Sequence, residues 1–145
     1  MYQQILHIQD NPYYCMLVKK WLHQCAAMAL NDNGDFNPAF VLTFYGPQGI
    51  GKTTIFERLA VNPDWFAEGV DYDANNKEEI IRVESHWIAE LGELEQTMRH
   101  EQAHLKNMIT AKFTNYRPWY GRKLIIRPRR VSLCATVNKE KILKD

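Results

Sequence analysis

A lysine and two threonines, Lys52-Thr53-Thr54, stand directly behind a run holding three glycines, Gly46, Gly49 and Gly51. With Pro47, Gln48 and Ile50 between them they spell GPQGIGKTT, which meets the pattern G-x-x-x-x-G-K-[ST] at every fixed position. These residue types suit the holding of nucleotide phosphates. Glycines let the backbone bring N–H groups close to an anion. Threonines that open a helix add its N-terminal dipole and its unpaired N–H groups. Lys52 supplies a point charge for the outer phosphates, and the Thr53 hydroxyl can ligate Mg²⁺. A plain glycine-rich turn would explain neither the lysine nor the threonines.

A Mg-nucleotide enzyme also needs an acid near the metal and a group that orients water. Glu90, closing the run His86-Trp-Ile-Ala-Glu90, is the natural metal-side acid. Glu93, one turn further on, can polarise water, and Glu95 is a weaker candidate. An acidic first turn that stabilises a following helix would account for the same acids without any chemistry. Asn138 follows VSLCATV in a Thr136-x-Asn138 pair and can reach a γ-phosphate or water. Its plain alternative is a turn residue at a strand end. His100-Glu-Gln-Ala-His104 has the H-E-x-x-H form of zinc proteases, but no histidine follows it to supply a third ligand.

Several elements must position these groups. Residues 13–30 read as a helix with Met16, Leu17, Leu22, Cys25, Met28 and Ala29 on one face, and Lys19, Lys20 and Gln24 partly opposite. Residues 40–45 read as the strand feeding the glycine loop, and the helix after it runs to Leu59. Asn62-Pro63 breaks the chain. Residues 65–77 read as a loop with a short strand at 67–72, followed by one helical turn at 78–82. A second strand is predicted at 83–89, ending on Glu90, and a long amphipathic helix at 92–111. Pro118, Gly121 and Pro128 mark a loop, with 123–127 as one arm of a hairpin. Residues 131–137 read as a third strand. Strands alternating with helices imply a parallel sheet covered by helices, with ligands at the carboxyl ends of the strands. Gly46, Glu90 and Asn138 would then converge on one sheet edge.

The chain of 145 residues is long enough for one domain with a real core, and its 46% hydrophobic and 24% charged residues are ordinary for a soluble protein. No run approaches a membrane span and no signal peptide is visible. Three scattered cysteines, Cys15, Cys25 and Cys134, fit a reducing cytoplasm better than a disulfide framework. The net charge of +1 hides a polarity. Residues 64–101 hold eleven acids against three basic residues, whereas 112–130 hold seven basic residues and no acid. The second segment is a local footprint for an anionic partner.

Six segments in order, GPQGIGKTT, HWIAELGELE, LKNMIT, YRPWYGR, PRR and ATVN, resemble the ATPase core of the virulence-associated protein E family. These are helicase-like ATPases of phages and pathogenicity islands, related in outline to superfamily-three (AAA+) helicases. The resemblance runs from Gly46 to Asn138. It implies an AAA+-like P-loop core at 39–145 behind an N-terminal helical extension at 1–38. It further implies that Lys52 and Thr53 hold phosphate and Mg²⁺, that Glu90 is the second-motif acid, and that Asn138 is a sensor residue. Lys106, Arg117, Tyr120, Arg122, Arg129 and Arg130 match family positions. The chain departs from the family at Asn115, Trp119 and Ala135.

Related helicases carry a DNA-contacting hairpin before the sensor strand. Arg117, Trp119, Tyr120, Arg122, Lys123, Arg127, Arg129 and Arg130 suit that role, by phosphate contact and base stacking. Arginines here can equally act as fingers on a neighbour's nucleotide, pair with the acidic segment, or be solvated. The expected function is Mg-dependent ATP hydrolysis coupled to single-stranded or duplex DNA, in a ring-forming replication protein of a mobile element. The chain ends soon after the sensor strand and reads as a fragment or a minimal relative, which would hold nucleotide with weak turnover or none. A small-molecule P-loop kinase and a non-catalytic nucleotide switch are the alternatives.

Overall fold

A computed structural model describes residues 11–38, 40–70, 76–92, 102–117 and 123–138. The first helix, α1 (Pro12–Ala29), starts where Asn11 Oδ1 accepts the Tyr13 N–H at 2.9 Å and Pro12 needs no partner. Its inward stripe is Val18, Trp21, Cys25 and Met28, with spacings of three, four and three. The predicted face is therefore rotated. Met16 is exposed and the Trp21 indole is buried, because a large ring displaces smaller side chains from the contact. Gln24 is buried as well, and its amide satisfies both backbone groups of Phe40.

Strand β1 (Leu42–Tyr45) leads through the glycine loop into α2 (Lys52–Leu59). A 3₁₀ turn, Pro63–Trp65, capped by Asn62, delivers β2 (Phe66–Val70). Next comes α3 (Lys77–Glu84), which overturns two expectations, the single turn at 78–82 and the strand beginning at 83. Asn76 Oδ1 caps the Glu78 and Glu79 N–H groups, two acids occupy the first turn, and Ile80 and Val83 face inward three residues apart. The capped amphipathic turn outweighs the β-preference of Val83. Strand β3 (Ile88–Leu91) begins after it, so Glu90 lies within the strand rather than closing it.

Gly92 is not a helix start, since its N–H bonds Val70 O at 2.9 Å. The described helix of the predicted 92–111 segment is α4 (Gln102–Thr110); residues 93–101 lie outside the described residues. Strands β4 (Phe113–Tyr116) and β5 (Ile125–Pro128) form an antiparallel pair, so both arms of the expected hairpin exist. Strand β6 (Ser132–Val137) completes a four-stranded, all-parallel sheet in the order β1-β6-β3-β2.

The sheet separates two apolar clusters. One face packs Leu42, Ile88 and Cys134 against Trp21 of α1 and Phe56 of α2. Phe56 stacks on Phe44, with centroids 4.6 Å apart, and meets Trp21 edge-on at 5.5 Å. The other face packs Ala89, Leu91, Leu133, Ala135 and Val137 against Val83 of α3 and Met108 of α4. Alternation along each strand assigns the faces. Glu90 therefore shares the α2 side with Ile88, and Thr136 shares it with Cys134. Helix α1, at the C-terminal end of the segment read as an extension, buries its stripe in the same core.

Candidate functional site

The loop between β1 and α2 reaches its shape through glycine. Gly51, at φ 86°, is the residue that caps α2, and no side chain fills the cap. A side chain there would meet the left-handed penalty although open space surrounds it. The first-turn N–H groups of α2 are thus left facing outward, with Pro47, Gln48, Gly49 and Ile50 exposed beside them. Thr54 is exposed on the same first turn. Gly46 N–H bonds Val137 O at 3.2 Å, which fastens the loop to the tip of β6.

Lys52 folds back into this loop and is only 8% exposed. Its ammonium donates to Gly46 O at 2.7 Å, Pro47 O at 2.8 Å and Asn138 Oδ1 at 3.2 Å. An ammonium carries three donors, and all three are engaged. Asn138 itself is exposed at the tip of β6.

Glu90 reaches the same place from β3. It is 4% exposed, and its Oε1 accepts from Thr53 Oγ1 at 3.0 Å and from Thr136 Oγ1 at 2.6 Å. Its other oxygen, Oε2, is buried without a hydrogen-bond partner. A buried carboxylate oxygen left without a donor is costly unless a cation or water serves it. The local donor set is hard oxygen, from Thr53 and Glu90, which fits Mg²⁺ and not a soft metal. Among the described residues no cluster of three or more His, Cys, Asp or Glu forms a metal cage.

Sequence distance hides this convergence. Gly46, Lys52, Thr53, Glu90 and Asn138 meet toward the carboxyl edge of the sheet, with Glu90 reaching it from within β3. Thr136 was visible only as part of a pair with Asn138. The signal that would have singled it out is the period of two along β6, which turns both residues to the side of the loop. Glu93, Tyr120 and Arg122 lie outside the described residues, and so does Glu95.

The basic candidates fall into two environments. Lys106, Arg117 and Lys123 are exposed, and so is Arg127 on β5. Arg130 is exposed and ion-paired with Asp32. Arg129 is 3% exposed. Its guanidinium donates to Met108 O and lies 4.0 Å from Glu84 Oε1, and its backbone bonds Lys112 O and Asn31 Nδ2. Arg129 thus links α3, α4 and the turn that follows α1. Burial pushes the Glu84 carboxyl above its ordinary value, against the hydrogen bond from Thr114 and the charge of Arg129.

The family model for the virulence-associated protein E-like domain matches residues 1–145. The chain belongs to the virulence-associated protein E-like family. No curated protein matches it. Within this family assignment, the loop, Glu90 and Asn138 form the one polar constellation described at the carboxyl edge of the sheet. No helix among the described residues is long and apolar enough to cross a membrane.

Proposed function

We propose that this chain is a phosphate-loop ATPase core of AAA+-like type, Mg-dependent, and coupled to DNA in a helicase-like replication protein of a mobile element. The observation that carries the reading is the meeting of Lys52 and Thr53, at the start of α2, with Glu90 of β3 and Asn138 just past β6, with Glu90 Oε2 buried and without a partner. Its membership of the virulence-associated protein E-like family supports the same reading.

The roles follow from position. The outward N–H groups of α2 and the Lys52 ammonium hold the phosphate chain, once Lys52 exchanges its carbonyl partners for phosphate oxygens. Thr53 Oγ1 and Glu90 Oε2 would hold Mg²⁺, which supplies neutralisation of phosphate charge. Asn138, beside the Lys52 ammonium, orients the outermost phosphate or the attacking water. The hairpin β4–β5 presents Lys123 and Arg127, with Arg117 beyond β4, to the backbone of DNA. Arg130, being exposed, is available to DNA or to a neighbouring subunit's nucleotide. Arg129 acts as an internal strut. Ring assembly, with sites between subunits, belongs to this reading.

The test is ATP hydrolysis with and without single-stranded DNA. Stimulation by DNA, and loss of turnover in Lys52→Ala, are expected. Turnover untouched by Lys52→Ala would sink the account. Phosphorylation of a small acceptor with no response to DNA would replace it with a kinase.

A further inference from the structure

We infer that Thr136 is a positioning residue for the Glu90 carboxylate, holding it so that Oε2 stays free for a divalent cation while Thr53 changes partner. This inference rests on the nucleotide-site reading above and deepens it. Two hydroxyls share Glu90 Oε1, Thr136 Oγ1 at 2.6 Å and Thr53 Oγ1 at 3.0 Å. The two are not equivalent. Thr53 sits in the first turn of α2, behind a glycine loop, and its oxygen is the one placed to serve a metal. Thr136 sits on β6, between β1 and β3 in the sheet, in register with Phe44. Its backbone is paired with Phe44 of β1, one residue beyond the last β3 pair, Leu91–Ala135, so its hydroxyl is carried on a strand and not on the glycine loop.

The consequence is a division of labour on one carboxylate. If Thr53 turns its oxygen to a metal, Oε1 loses one of its two donors. Thr136 remains and keeps the carboxylate from rotating. Oε2, buried and without a partner, then stays directed at the cation. Without Thr136, metal loading that draws Thr53 away would leave Oε1 with no donor in a residue 4% exposed. Such desolvation opposes metal loading. Threonine in a strand needs no function, because β-branching alone favours it. Valine has the same shape without the hydroxyl, so the two roles separate cleanly by substitution.

The experiment titrates Mg²⁺ against binding of a fluorescent ATP analogue, for wild type, Thr136→Val and Thr136→Ser, with a parallel measurement in EDTA. The expected result for Thr136→Val is a Mg²⁺ midpoint raised on the order of tenfold, as for loss of one charge-assisted hydrogen bond. Its affinity in EDTA is expected to stay at the wild-type level. Thr136→Ser keeps the donor and is expected to lie within about twofold of wild type on the same reasoning. A midpoint unchanged in Thr136→Val overturns the inference while leaving the nucleotide site standing. Equal impairment of the Val and Ser variants overturns it too, by pointing to packing alone. A wild type that binds no analogue in either condition overturns the nucleotide reading, and this inference with it.

Discussion

Lys52 and Asn138, 86 positions apart, are joined by a 3.2 Å hydrogen bond from the lysine ammonium to the asparagine oxygen. The bond closes the glycine loop onto the tip of β6, and so ties Lys52 to the strand that also carries Thr136. Removing the side chain in Asn138→Ala frees one donor of Lys52 and, on the proposed function, deletes the group that orients water. On the proposed function, kcat is expected to fall at least about tenfold with KM moved by less than about threefold, the pattern of an interaction made in the transition state. Asn138→Asp is expected to weaken nucleotide binding instead, because a carboxylate pairs with Lys52 and repels phosphate. Steady-state kinetics and analogue binding separate the two.

Trp21 holds α1 to the sheet in two ways. Its ring is fully buried against Phe56, and its Nε1–H donates to Leu133 O at 2.9 Å. Trp21→Phe should cost about 1–3 kcal/mol, mostly from the carbonyl left without its donor. Trp21→Ala should cost about 3–5 kcal/mol through loss of packing. Urea denaturation monitored by circular dichroism reads both. A Trp21→Ala variant as stable as wild type would mean that α1 is not part of the core.

The three cysteines should differ sharply in reactivity. Burial pushes the Cys25 thiol up to about 12, and pushes Cys134 well up too, with the Glu90 charge adding to it. Both are free thiols within the core, whereas Cys15 is half-buried on α1. Titration of the native protein with a thiol reagent at neutral pH should label Cys15 first, with Cys25 and Cys134 following only on unfolding. Rapid labelling of Cys25 or Cys134 in the native protein contradicts this packing.

Glu84 predicts a pH dependence of stability. Its carboxyl is raised above the ordinary 4.5 by burial, against Thr114 and Arg129. A raised carboxyl binds its proton more tightly in the folded chain. The stability it contributes is therefore full below the unfolded value and is lost as pH rises through the folded one. Glu84→Gln abolishes this titration and removes the Glu84 charge beside Arg129. The Tm of the variant minus that of wild type is expected to increase from about pH 4 to about pH 7. A difference that stays flat or decreases over that range refutes the shift.

Much of the site was legible because its chemistry is local in the chain. The glycine spacing, Lys52 and Thr53 lie within one short run, and the types alone required a strand before and a helix after. Glu90 and Asn138 were legible as polar residues ending apolar runs. Other features were not. Val83 and Glu84 read as strand until the Asn76 cap and the inward spacing of Ile80 and Val83 made them helix. Arg129 sits in a basic run that reads as surface, and only the approach of Glu84 and Met108 buries it. The periodicity of the smaller apolar residues of α1 points to a different face, and only packing against Phe56 buries Trp21.

The sequence by itself determined the glycine-loop pattern, the alternation of strands with helices, and the polar residues Glu90 and Asn138 beside two apolar runs. Those properties are written in neighbouring residues, through glycine freedom, periodicity and side-chain chemistry. Only the tertiary structure decided that β6 lies between β1 and β3. That order sets Asn138 against Lys52 and Thr136 against Glu90, and it leaves one carboxylate oxygen buried without a partner. Strand order is fixed by which faces bury together across long loops, and no local pattern in the chain encodes it.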